Sequence, residues 1–450
     1  MGEKWKVLVV VCTGIFMSTL DGSILNIAIP TISGDLTVPV KTVQWTVTAY
    51  MLTITATLLL FGRLGDRVGS NRVFTCGLLV FTLGSLLCSL SSSFILLVVF
   101  RIVQSLGASM MMATGIGIVS AAFPASERGK ALGLTGSMVG IGNMAGPGLG
   151  GLIVSGYSWP GIFLLNIPIG LAGLFMALRF LPRQAREDKS EPTDQIGLLL
   201  LALASFTLVV GSSQVSPVLL LLGVGALVFF ILFEKKQSAG LLDLETLTNH
   251  RFRSGNLLAF LSYATQPFII FLMPFFLENV MHFPPWRSGM FMTIPPVVMA
   301  ITAPLAGTFY DRRGGRMITA VSFALLIAAN LILGSVQGPQ DVGLIALGLA
   351  IFGLGMGSFG SPNSSIILSS IPREKYGYAG GFMATIRNLA FALGTALAAG
   401  LFSLQLGQSL TTLTYSPAFL AAIHNCFRVA LIIPACGFVF TLYLLKKGQE

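Results

Sequence analysis

Gly62-Arg63-Leu64-Gly65-Asp66-Arg67-Val68-Gly69, followed closely by Arg72, returns as Gly307-Thr308-Phe309-Tyr310-Asp311-Arg312-Arg313-Gly314, followed closely by Arg316. Both copies of G-x-x-x-D-R-x-G close a long apolar run, and each run is the second of a set of six. Charges in a short surface turn are ordinarily just solvated. Their return at Asp311 and Arg312 points instead to a pair of latches, one in each half of the chain.

The rest of the sequence fits a chain built for lipid. It has 450 residues, 54% hydrophobic and 10% charged, with a mean hydropathy of +0.84. Soluble domains carry about a quarter charged residues, so this chain lacks the polar surface to cover a water-facing globule. The same numbers exclude a disordered chain. A helix crosses the hydrocarbon core in about 20 residues. Apolar runs near 8–30, 43–62, 73–92, 94–122, 131–155, 161–181, 196–214, 217–234, 254–278, 288–309, 317–337, 342–369, 378–402 and 421–445 therefore predict fourteen spans. The first reads as a retained span rather than a cleaved leader, having no small-residue cleavage pattern.

Charge placement tests that count. With a cytoplasmic N-terminus, all of the 27 basic residues fall on the inner side except Lys41, Arg287, Arg101, Arg387 and Arg428. The positive-inside rule demands such a bias, and it places both termini in the cytoplasm. It also accounts for the net charge of +10. Because these charges are spread over many separate segments, a nucleic-acid partner has little support. The fold class expected is thus an all-α polytopic membrane protein. Residues 1–185 form one six-helix bundle, 186–250 an inserted transmembrane hairpin with its linkers, and 251–450 a second bundle. Paired bundles are the usual construction of alternating-access transporters.

Asp21 is the only acidic residue deep within a span, nine residues before Pro30 and so about 14 Å from the outer end at helical rise. An ionised carboxylate there costs about 2.5–3.5 kcal/mol on insertion scales, which makes it a candidate for taking up and releasing a proton. The alternative is a structural carboxylate hydrogen-bonded within the bundle. Arg101 lies at a similar depth in span four, so the two charges could pair, and loosening of the pair would favour protonation. A structural arginine bonded to backbone carbonyls is the competing reading. Gly142, Gly146, Pro147, Gly150 and Gly151 in span five give G-x-x-x-G-P-x-x-G-G. Small residues so spaced allow close helix approach, and the proline is expected to kink the helix. Close packing alone would also explain the glycines.

Other chemistries find no anchor. The five cysteines lie in apolar runs without C-x-x-C spacing, and with three histidines no metal or cofactor site emerges. No nucleotide-binding G-x-x-x-x-G-K-[ST] occurs, so energy has to come from a gradient or from a separate subunit. No catalytic cluster is present either, and no enzyme activity is expected.

The chain resembles the fourteen-helix drug:proton antiporters of the major facilitator superfamily over essentially its whole length. The resemblance rests on Leu20-Asp21-Gly22-Ser23-Ile24-Leu25-Asn26-Ile27-Ala28-Ile29-Pro30, on Gln44-Trp45 with Ala49-Tyr50, and on residues 62–72. It rests further on Arg101-Ile102-Val103-Gln104, Gly142 through Gly151, Asn166-Ile167-Pro168-Ile169-Gly170, and Gly380 to Gly394. It implies two six-helix bundles around a central cavity with two helices between. By that analogy Asp21 carries the proton, Arg101 tunes it, and Gly62, Gly65, Asp66, Arg67, Gly69 and Arg72 form the gating loop. It also implies multidrug efflux, antibiotic resistance, a bacterial cytoplasmic membrane and a monomer.

Three departures matter. Ser105 stands where the family has glycine, and Trp159-Pro160-Gly161 replaces a W-R-W-like turn. No acidic residue lies deep in spans nine to fourteen, Glu278 being the nearest, which disfavours dicationic substrates. Asn26, Tyr50, Gln104, Gln266, Asn363 and Arg387 are the polar candidates for the substrate cavity, with some of the 33 phenylalanines and 17 methionines as its apolar wall.

The function expected is proton-coupled antiport exporting lipophilic small molecules, neutral or monocationic. The alternatives are an exporter dedicated to one endogenous lipid, siderophore or metabolite, and a non-transporting receptor of the same fold.

Overall fold

The computed structural model describes residues 2–447 except 44, 183–194, 214–215, 238–241, 284, 314–316 and 411–414. Among the described residues there are helices and no strands. Lipid offers backbone groups no hydrogen bonds, so a single-chain span must satisfy them within a helix. In chain order the long helices are α1 (Glu3–Asp35), α2 (Trp45–Val68), α3 (Ser70–Ser89), α4 (Phe94–Ala122), α5 (Ala125–Tyr157) and α6 (Asn166–Phe180). A hairpin follows, α7 (Gln195–Ser213) and α8 (Pro217–Glu234). Then come α9 (His250–Asn279), α10 (Ile294–Arg313), α11 (Met317–Leu333), α12 (Val342–Ser369), α13 (Tyr376–Leu410), α14 (Tyr415–Ala430) and α15 (Ile432–Lys446). Eleven helical stretches among the described residues are long and apolar enough to cross a membrane, with shorter apolar helices at Leu199–Leu208 and Met317–Leu333.

Local chemistry sets the ends. Ser93 accepts from the Leu96 amide to cap α4, and Asn249 accepts from the Arg251 and Phe252 amides to cap α9. Gly69 joins α2 to α3 with φ 98°, a left-handed conformation that a side chain would strain. Three runs that read as single spans are broken, each four residues before a proline. Short helices Pro160–Leu164 and Pro285–Met292 end before α6 and α10, and α14 ends at Ala430 before α15. Pro168, Pro296 and Pro434 each collide with the carbonyl four residues earlier, at Leu164, Met292 and Ala430. By contrast α5 runs unbroken through residue 147.

The reading of residues 62–72 as a loop needs correction. Gly62 to Val68 are the last turns of α2, and Gly307 to Arg313 the last turns of α10, so the motif is helical up to its final glycine. The apolar run ends at Gly62, but nothing there breaks backbone hydrogen bonding until Gly69.

Packing follows chain order. One core cluster gathers α1 to α4 around Phe74, Phe81, Met111 and Tyr50, and draws in Tyr376, Tyr378, Met383 and Ala384 of α13. A second gathers α9, α11, α12 and α14 around Phe268, Phe276, Phe323 and Phe352. Between the halves α5 packs on α10, and α13 packs on α2 and α4. The hairpin helix α7 lies against both α2 and α13, straddling that seam.

Candidate functional site

Asp21 and Arg101 meet in the interior of the N-terminal half, 1% and 0% exposed. Arg101 Nη1 donates to Asp21 Oδ2 at 2.5 Å and to Gln104 Oε1 at 2.7 Å. Gln104 Nε2 donates to Asp21 Oδ1 at 2.9 Å and to Ser85 Oγ at 2.7 Å, while Asn166 Nδ2 donates to the same Asp21 Oδ1 at 2.8 Å. Arg101 Nε reaches the Thr46 carbonyl at 3.4 Å. Its guanidinium stacks over Tyr50, 4.1 Å from the ring centre, and lies 5.6 Å from Phe163. A charge buried this deeply persists only when paired and hydrogen-bonded, and here five helices supply the partners.

The span-five glycines seat α1 beside this pair. A side chain at Gly142 would collide with Thr19, and one at Gly146 with Ser23, the residues flanking Asp21 on its own helix. Ser23 Oγ donates to the Gly142 carbonyl across that contact at 3.1 Å. Gly150 is buried. Gly151 has nothing within 4 Å of where a side chain would begin.

Each motif aspartate grips the opposite half of the chain. Asp66 accepts from the amides of Gly377 and Tyr378 at 2.7 and 2.6 Å, at the start of α13. Asp311 accepts from the amides of Gly129 and Lys130 at 2.8 and 2.9 Å, near the start of α5. Helix N-termini carry partial positive charge and free amides, which suits the carboxylate at Gly377 and Tyr378, whereas Gly129 and Lys130 are the fifth and sixth residues of α5. Gly62 and Gly377 allow the first contact, since a side chain at Gly62 would begin 2.6 Å from the Gly377 carbonyl. At the second, a side chain at Gly307 would overlap the Gly129 carbonyl. Gly65 lies against Thr114, Arg67 is half-buried, and Arg312 is exposed. Ser137 donates to the Ala300 carbonyl at 2.6 Å, and Asn388 to Thr55 Oγ1 at 3.5 Å, carrying the contact toward mid-depth. The molecule is closed at the latch end.

The hairpin is tied to the same place. Tyr378, whose amide bonds Asp66, takes the Asp243 amide on its hydroxyl at 3.2 Å. Lys375 bridges Asp243 and Glu245 at 2.8 Å each. Burial pushes the Asp243 carboxyl up, but bonds from Lys375 and Thr246 outweigh it and hold the group below the usual carboxylate range.

Replacing Asp66 and Asp311 together by asparagine is expected to loosen the closed state. Charged hydrogen bonds are worth about 1.5–3 kcal/mol each, so the amides of Gly129, Lys130, Gly377 and Tyr378 should exchange at least about tenfold faster. Hydrogen exchange with mass spectrometry reads this. Unchanged protection in the double variant would show that the carboxylates do not hold the latch.

Of the candidate cavity residues, Tyr50 and Gln104 are sealed inside the ion-pair network. Asn363 is buried and donates to the Gly255 carbonyl at 3.0 Å, while Gln266 and Arg387 are half-buried. The side chains of Asn26 and Pro147 and residues 314–316 lie outside the described residues. Sequence reasoning missed Asn166 and Thr46 as partners of the pair, and Ser85 as the partner of Gln104. Each lies within a few residues of the same span ends as Arg101, so the depth arithmetic applied to Arg101 would have found them.

The sequence profile described as Major Facilitator Superfamily matches residues 11–395, and the chain belongs to that superfamily. It is a multi-pass membrane transporter. It is 42% identical to a riboflavin transporter of Clostridioides difficile over 453 aligned residues, covering 100% of this chain and 99% of that one. It is 30% identical to the tetracenomycin C resistance and export protein of Streptomyces glaucescens over 416 residues, 90% of this chain and 77% of that one. In fold it is similar to a human organic anion transporter, with TM-score 0.67 and 16% identity over 96% of this chain and 100% of that one. A proton:xylose symporter superposes with TM-score 0.66 and 13% identity over 98% and 95% of the two chains.

Proposed function

We propose that this protein is a proton-coupled transporter of the fourteen-helix antiporter branch, moving a riboflavin-like molecule across the cell membrane by alternating access. The observation that carries the substrate reading is the 42% identity to a riboflavin transporter along essentially the full length of both chains, against 30% to a drug exporter over part of each. This favours a dedicated substrate over a broad range of lipophilic drugs. The hairpin between the two sets of helices supports the branch, and the basic residues around both latches support a cytoplasmic latch end.

Asp21 is the proton carrier in this reading. In the latch-closed state its carboxylate is held by Arg101. A proton on that carboxylate ends the ion pair and leaves Arg101 with neutral acceptors, Gln104 and the Thr46 carbonyl among them, and two aromatic faces. Two rigid helices carry the loosening to the latches. α5 runs from Gly129, bonded to Asp311, to Gly142 and Gly146 beside Asp21. α4 runs from Arg101 to Gly117, which lies against the Tyr376 carbonyl. Proton entry supplies about 2.3 kcal/mol per 100 mV of membrane potential, enough to drive a substrate roughly fiftyfold uphill.

Riboflavin fluoresces, so its movement into or out of liposomes holding the purified protein can be followed directly. Gradient-dependent movement of riboflavin, with lipophilic drugs moved slowly or not at all, is expected. Drug transport without riboflavin transport would contradict the substrate reading and return the weight to a multidrug exporter.

A further inference from the structure

We propose that Arg387 binds the transported molecule, donating hydrogen bonds to carbonyl or carboxylate oxygens on it and disfavouring cations. This rests on the transport reading above and names the residue and the chemistry behind its substrate preference.

The inference starts from the face of α13 on which Arg387 lies. Seven residues make two helical turns, so Gly380, Arg387 and Gly394 share one face. Gly380 abuts the Ala113 carbonyl of α4, in the N-terminal half. Gly394 abuts the Ala264 carbonyl of α9, in the C-terminal half, where a side chain would begin 2.5 Å away. Between these contacts the neighbour of that face changes from one half of the protein to the other. Arg387 therefore stands where the halves part, and the adjacent Asn388 makes a bond across the seam to Thr55 at 3.5 Å. One turn further along the same face Phe391 is partly exposed, while the more exposed Leu397 and Leu404 lie roughly a quarter turn away.

At that position Arg387 is half-buried and has no hydrogen-bond or ion-pair partner among the described residues. An arginine at the centre of a span costs about 2.5–3.5 kcal/mol on insertion scales and is tolerated where it faces a partner or a wet cavity. Four acids among the described residues are engaged elsewhere or stand apart from it. Asp21 is saturated by Arg101, Gln104 and Asn166, Asp66 and Asp311 hold backbone amides, and Glu278 is exposed near the end of α9. With the Asp21 charge cancelled by Arg101, Arg387 stands as an unpaired positive charge among the described residues around it. A guanidinium presents a planar fork of donors that fits paired oxygen acceptors. A carboxylate is such a pair, and a flavin offers adjacent acceptors of the same kind, its C2 carbonyl beside N1 and its C4 carbonyl beside N5. A monocation would be repelled, which narrows the neutral-or-monocationic expectation drawn from the sequence.

The test is equilibrium binding to the purified full-length protein in detergent, with three probes: riboflavin, the anionic dye fluorescein and the cation ethidium. Wild type is compared with Arg387→Gln and Arg387→Lys, each checked for a single monodisperse peak. Riboflavin binding is expected to weaken about 10- to 100-fold in Arg387→Gln and less in Arg387→Lys, while ethidium binding holds or improves. Riboflavin bound equally by wild type and Arg387→Gln would overturn the role of Arg387 and leave the flavin reading standing. Fluorescein bound in an Arg387-dependent way without riboflavin binding would do the opposite, sinking the flavin reading and keeping the acceptor site. Wild type that binds ethidium alone, or none of the three, overturns both.

Discussion

Asp21→Asn is expected to lose uphill transport altogether while still exchanging substrate across the membrane when no gradient is present. Asparagine keeps the shape of the side chain, and its one oxygen can still accept from Arg101 or from Gln104 and Asn166. It cannot take up and release a proton. The substrate site and the latches are untouched, so the empty and loaded protein can still pass between states. Severing a buried ion pair costs about 3–5 kcal/mol, and the variant should unfold at a lower temperature. Retained exchange separates this loss of stability from loss of coupling, because an unfolded carrier exchanges nothing. The two activities are measured in the same liposomes, with and without a pH step. Undiminished uphill transport by Asp21→Asn would remove Asp21 from the mechanism.

The second large effect is expected at Gly307. Any side chain there overlaps the backbone carbonyl of Gly129, and helical backbone cannot swing aside as a flexible side chain can. Overpacking of this kind costs about 1–3 kcal/mol, which here falls only on the state in which α5 and α10 touch. Gly307→Val should therefore shift the protein away from the latch-closed state by about 5- to 150-fold and slow turnover accordingly. The amides of Gly129 and Lys130 report the shift through faster hydrogen exchange, and those of Gly377 and Tyr378 should follow if the two latches open together. Fast exchange at the first pair with full protection at the second would show that the latches act separately. Normal turnover with unchanged exchange at both would contradict the closed-state packing itself.

Much of this arrangement was legible in the sequence because membranes restrict what a chain can do. Hydropathy marks where helices run. Depth arithmetic brought Asp21 and Arg101 to one level, where the structure finds them paired. The repeated motif announced two latches. What it could not announce is their partners, since Asp66 and Asp311 bind backbone amides, and a backbone amide has no letter in the sequence. Helix ends were misread for a related reason. Apolar runs stop at the membrane surface, but hydrogen bonding continues through Gly62–Val68 until Gly69 takes a left-handed turn. The breaks before Pro168, Pro296 and Pro434 were hidden inside strong hydropathy signals, and a proline alone does not mark them, since α9, α10 and α12 run unbroken through Pro267, Pro274, Pro304 and Pro362. Tyr50 and Gln104 show the converse limit. A polar residue in a span can serve a buried charge as well as a substrate, and spacing alone does not say which.

The central claim is that substrate movement and proton movement share Asp21. Liposomes containing the purified protein and an internal pH dye test it directly when riboflavin is added outside, with Asp21→Asn alongside. A riboflavin-triggered change of internal pH in the wild type, absent in Asp21→Asn, is the predicted result. Riboflavin transport with no accompanying pH change, or the same pH change in both proteins, would contradict it.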